Sequence, residues 1–170
     1  REEFLKLLSI ENPTKGFEFL DEVDLLPKIL SFESNLDHNN FDKIFSLLPS
    51  DDPVTRLSVF FKGLSKDEVK ESLKRLKMSR EEKRRIESAV DFLNLVSKGP
   101  KNEKWINEEI RRLLDLNQLS VETSINLIQA SNTNVKEFLR SLEALRSKED
   151  LISFEPLLTA KELMSVLNIE

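Results

Sequence analysis

The stretch Lys74-Arg75-Leu76-Lys77-Met78-Ser79-Arg80-Glu81-Glu82-Lys83-Arg84-Arg85 is the one place where residue type and spacing point to chemistry. It carries seven basic residues against two glutamates, a local charge of +5 in a chain of net charge −5. The remainder of the chain sums to −10. Clustered lysine and arginine attract phosphate, and phosphate contacts supply most sequence-independent affinity for nucleic acid. Arg80, Lys83 and Arg84 stand at i, i+3 and i+4, so on a helix they share one flank. Lys74 and Lys77 precede them and extend the cluster across a turn. Glu87 and Asp91 continue the same flank and dilute its charge. On charge alone a solvated helix face accounts for the segment more readily than a nucleic-acid contact. The acidic remainder also argues against a stand-alone nucleic-acid binder.

Other candidate groups do not converge. Asp51-Asp52, Glu81-Glu82 and Glu108-Glu109 are adjacent pairs, and helix neighbours point about 100° apart. No Asp-x-Asp pair offers a two-carboxylate clamp for magnesium. The single His38 lies in a polar stretch, Leu36 to Asn40, and reads as a surface loop residue. One histidine and no cysteine exclude disulfides, thiolate catalysis and zinc sites built from several imidazoles or thiolates of this chain. The three glycines, Gly16, Gly63 and Gly99, are far apart, so there is no glycine-rich phosphate loop. Trp105 at the edge of an apolar stripe is expected to pack half-exposed on the core; a platform for stacking a base is the alternative.

The elements that must position these groups are helical. Ser65-Lys66-Asp67-Glu68, Ser79-Arg80-Glu81-Glu82 and Thr159-Ala160-Lys161-Glu162 have capping-box form. Asn12-Pro13 and Asp52-Pro53 fit a cap followed by proline in the first turn. Between the caps, apolar residues recur every three or four positions: Val69, Leu73 and Leu76; Ile86, Val90, Leu93 and Val96; Ile106, Ile110, Leu113 and Leu114; Leu139, Leu142 and Leu145. No segment alternates as a strand would. The pattern predicts helices near 1–9, 13–23, 25–31, 40–48, 53–63, 66–77, 80–97, 102–116, 121–131, 134–146 and 160–167. The expected fold is all-α, an irregular bundle of about 9–11 short helices, divided near Ser97–Asn102 into residues 1–98 and 99–170.

With 39% hydrophobic and 34% charged residues, 170 residues suffice for one sizeable core or two small helical subdomains. No apolar run approaches the roughly 18 residues that span a bilayer. Without a signal or lipidation motif, a cytoplasmic protein with no membrane partner is expected. The first residue is Arg1 rather than Met, so a piece of a longer protein is expected.

Several stretches, in order, resemble one family. Arg1 to Leu8, Asn12-Pro13 and Gly16 to Leu30 look like the neck-to-body segment of class II tRNA nucleotidyltransferases, the CCA-adding and A-adding enzymes related to bacterial poly(A) polymerases. Arg56 to Leu64 is similar to a body helix of that family, Leu73 to Ser79 to a turn before a long helix, and Thr159 to Ile169 to the approach to the tail. The family's catalytic head, with its Gly-Gly-x-x-Arg-Asp turn, Asp-x-Asp pair and Arg-Arg-Asp-Phe segment, has no counterpart here. Neither has the nucleotide-reading Glu-Asp-x-x-Arg-x-x-Arg. Where some relatives carry a His-Asp site, this chain reads Phe60-Phe61-Lys62-Gly63.

The resemblance implies a noncatalytic neck, body and partial tail that holds the acceptor stem and elbow of tRNA for a separate head. Magnesium and ATP or CTP would belong to that head, and this chain would hold no cofactor. Arg80, Lys83 and Arg84, helped by Lys74 and Lys77, would be its RNA contacts. Arg1 and Glu3 would brace the neck structurally. A helical protein-interaction or homo-oligomerisation module is the alternative, with Phe17, Phe60 or Phe154 as its exposed apolar patch.

Overall fold

The computed structural model describes residues 1–31, 39–100, 104–117, 119–131 and 136–148, and the regular structure there is entirely helical. Ten helices occur among these residues: α1 (Glu2–Leu8), α2 (Thr14–Glu22), α3 (Leu26–Leu30), α4 (Asn39–Leu47), α5 (Pro53–Phe60), α6 (Lys66–Arg75), α7 (Arg80–Lys98), α8 (Asn107–Asn117), α9 (Val121–Ala130) and α10 (Lys136–Arg146). The protein is thus an all-α, multi-helix structure. The helix and capping box expected at Thr159–Leu167, His38 and Phe154 lie outside the described residues.

Helix starts follow the sequence at Ser65, Ser79 and Asp52; at Asn12-Pro13 the helix instead begins at Thr14, with Pro13 in the cap position and the Asn12 side chain accepting from the Thr14 amide at 3.3 Å. The Ser65 and Ser79 capping boxes both form. Asp52 caps α5 through the Thr55 amide at 3.1 Å. Ser120, followed by no glutamate three residues on, caps α9 through the Thr123 amide. Helix α8 lacks such a signal, and here the expectation needs correcting. It begins at Asn107 rather than near 102, and Ile106, expected in its apolar stripe, is exposed. Outside the helix, Ile106 no longer follows the 3.6-residue period that would turn it toward the core.

The central α5 is buried from Val54 to Phe60 and packs against α1, α4, α7 and α9. Helix α7 packs on α5, α6 and α8, and α9 lies against α4, α5 and α8. Helices on both sides of residue 98 therefore contribute to a shared set of core contacts. Phe17 sits at the centre of an aromatic cluster, with ring centroids 4.9 Å from Phe45, 5.3 Å from Phe60 and 5.7 Å from both Phe4 and Phe41. Phe17 and Phe60, expected at the surface as an interaction patch, are buried. Their rings fill the space where α1, α2, α4 and α5 meet, and burying a phenyl group stabilises by about 1.5–3 kcal/mol. A second group joins Phe138 to Phe92 and, edge-on at 5.0 Å, to a half-buried Trp105.

Arg56 holds the first group together. It is 1% exposed, in the middle of the most buried helix. Its guanidinium donates to the carbonyls of Leu8, Ile10, Glu11, Phe45 and Leu48, at 2.6–3.4 Å. These carbonyls lie at the C-terminal ends of α1 and α4, where the last turns leave acceptors without helical partners and the helix dipole is negative. Burial lowers the guanidinium pKa, against a smaller opposing pull from Asp51. Its carbon also lies 5.3 Å from the Phe45 ring centroid. Lys62 does the same for α9. Its ammonium donates to the Ser131 carbonyl at 2.8 Å, and burial lowers its pKa.

Candidate nucleic-acid interface

The basic segment folds into the corner between α6 and α7. The corner is built by three buried apolar residues, Leu73, Leu76 and Met78. At the end of α6 the Met78 amide bonds the Leu73 carbonyl at 3.1 Å and the Lys77 amide bonds the Lys74 carbonyl at 3.0 Å. This pair of bonds is a Schellman motif, and the apolar contact between its first and last residues is expected of it. Lys77 occupies the left-handed position with φ 49°, a place glycine normally takes. Ser79 then caps α7. Its hydroxyl accepts from the Glu82 amide at 3.2 Å, and the Glu82 carboxylate accepts from the Ser79 amide at 2.6 Å.

Of the two acids of the segment, Glu82 is engaged, whereas Glu81 is exposed and makes no ion pair or side-chain hydrogen bond among the described residues. Glu82 also receives the Arg1 guanidinium, 2.8 Å from each carboxylate oxygen. Burial alone would raise its pKa, but the Ser79 amide, the Ser79 hydroxyl and Arg1 outweigh this and hold it below the usual range. Asp91, expected to dilute the basic flank, pairs with Lys66 at 2.8 Å. Arg85 leaves the cluster altogether and pairs with Asp52 at 2.6 Å, tying α7 to the start of α5.

What remains is a group of cations without such partners. Among the described residues, the side chains of Lys74, Arg75, Lys77, Arg80 and Lys83 make no ion pair or hydrogen bond. All but the half-buried Lys83 are exposed. Arg84, also exposed, has an interaction of its own. Arg75, the last residue of α6, is the member that the spacing argument did not single out. Arg1 sits where a neck brace was expected but pairs with Glu82 of α7; Glu3 pairs with Lys6 at 2.9 Å on the exposed face of α1.

Three of these positions run against local stability. Arg80 and Lys83 begin α7, at the positive end of its dipole, where a cation costs roughly 0.3–1 kcal/mol. Lys77 bears the left-handed backbone penalty of roughly 1 kcal/mol. Residues that break local rules are expected to be those with a task beyond folding. The amides at the start of α7 are partly consumed by its own capping box, so an anion would be held here by side chains. The adjacent pairs Asp51-Asp52 and Glu81-Glu82 are divided in use, since Asp52 and Glu82 both serve caps. No group of three or more potential metal ligands occurs among the described residues. No helix among them is long and apolar enough to cross a membrane.

Comparison with known proteins adds no family. No family model matches the chain, and neither a curated protein nor a solved structure matches it.

Proposed function

We propose that this chain is a helical RNA-holding region whose α6–α7 corner grips the phosphate backbone of tRNA. The observation that carries the reading is the cluster of five cations at one helix corner that have no partner among the described residues, two at the wrong end of a helix dipole and one in a left-handed turn. Structured RNA offers shape and phosphates rather than readable base edges, which suits side chains of this kind. The order of motifs along the chain supports the finer reading, a noncatalytic neck, body and partial tail of a class II tRNA nucleotidyltransferase in the cytoplasm. The acceptor stem and elbow would lie on this region while a separate head, holding magnesium and ATP or CTP, extends the 3′ end.

The test is Arg80→Glu combined with Lys83→Glu. Acidic residues in the first turn of α7 favour the helix, so a loss of binding cannot be ascribed to unfolding. The expected result is about a tenfold or greater loss of tRNA affinity with unchanged helicity. Unchanged affinity would refute the corner as the contact.

A further inference from the structure

The α2 helix carries a surface that the RNA reading does not use. Thr14 and Phe17 turn inward. On the outer side, Phe19 is 61% exposed and Val23 47%, one turn apart, and Leu25 just beyond the helix is 42% exposed. Three large apolar side chains within seven residues form a patch rather than scattered exposure. Beside it runs an acidic row. Glu18 and Glu22 also stand one turn apart, each one position before its apolar neighbour, and neither side chain makes an ion pair or hydrogen bond among the described residues. Of the four carboxylates between Phe17 and Leu26, Asp24 pairs with Lys28 at 3.3 Å and Asp21 has an interaction of its own, so Glu18 and Glu22 carry the charge of this face.

We infer that this face of α2 docks a basic amphipathic helix of a partner protein. The apolar row calls for a partner row of leucine-like residues at i and i+4, and the acidic row calls for lysine or arginine flanking it at the same spacing. Charge decides between occupants. A symmetric pair with a second copy would set the same patch against itself, bringing unpaired carboxylates face to face. The chain's own basic corner cannot serve as the partner surface in a second copy, because its apolar residues Leu73, Leu76 and Met78 are buried. A basic helix neutralises the acidic row while covering Phe19 and Val23.

The experiment is a titration of the isotope-labelled full chain with a synthetic helical peptide of about 14 residues, leucines spaced at i and i+4 with lysines alongside. A permuted peptide of the same composition is the control. Saturable binding is expected, with amide shift changes centred on Glu18 to Leu25. Phe19→Ser and the double change Glu18→Lys, Glu22→Lys should each weaken it at least about tenfold; both alter exposed or half-exposed side chains and leave the fold intact. Arg80→Glu with Lys83→Glu should leave it unchanged, which separates this surface from the RNA reading. The inference fails if the permuted peptide binds equally well, or if no shifts appear on α2. It fails too if sedimentation shows self-association that Phe19→Ser abolishes, or if residues 151–170 of the same chain give contacts to Phe19.

Discussion

Replacing Arg56 with methionine removes a charged hub while keeping a long apolar stem in the same space. Three of its acceptors, the carbonyls of Leu8, Phe45 and Leu48, take buried hydrogen bonds, whereas those to Ile10 and Glu11 are part-buried. Water can replace the part-buried bonds to Ile10 and Glu11. The buried acceptors are left unpaired, at about 1–3 kcal/mol each. Relief from burying a cation offsets part of this. The expected loss is therefore about 3–5 kcal/mol, a large share of the roughly 5–15 kcal/mol that stabilises a domain. Arg56→Lys keeps the charge but has one nitrogen in place of three, so it should fall between wild type and Arg56→Met. Urea denaturation followed by far-UV circular dichroism measures both. An Arg56→Met midpoint corresponding to less than about 1 kcal/mol of destabilisation would refute the role of the carbonyl cage.

Lys77→Gly should raise stability by about 1 kcal/mol, because glycine adopts the left-handed turn without strain. The same change should weaken tRNA binding and reduce the salt slope by about 1, opposite signs that thermal melts and a salt titration can separate. The lowered pKa of Glu82 makes a pH prediction. A depressed carboxylate contributes stability that is fully present above its ordinary value of 4.5 and is lost as pH falls through the lowered one. Glu82→Gln should therefore lower stability at neutral pH and flatten the acid limb of the stability profile.

Legibility in the sequence followed the range of the interactions. The starts at Ser65, Ser79 and Asp52 were readable because cap and partner lie three residues apart. The start of α8 was not, since nothing near Trp105 marks it and the ring is placed by Phe138, far along the chain. Phe17 and Phe19 are two residues apart on α2, and periodicity does not say which faces inward. That choice is made by Phe4, Phe41, Phe45 and Phe60 from other helices. Arg56 left a trace, a lone cation in an apolar run from Val54 to Phe61, but its partners come from two distant helix ends. The basic corner was visible as charge. Which of its charges are spent was not, because Glu82, Asp91 and Arg85 find their partners in Arg1, Lys66 and Asp52 across the fold.

The most direct test of the RNA-holding account is the fluorescence anisotropy of labelled tRNA with this chain from low to physiological salt. Five phosphate contacts imply saturable binding whose logarithmic affinity falls with the logarithm of salt at a slope of about −4. No saturable binding at low salt, or a slope near zero, would contradict it.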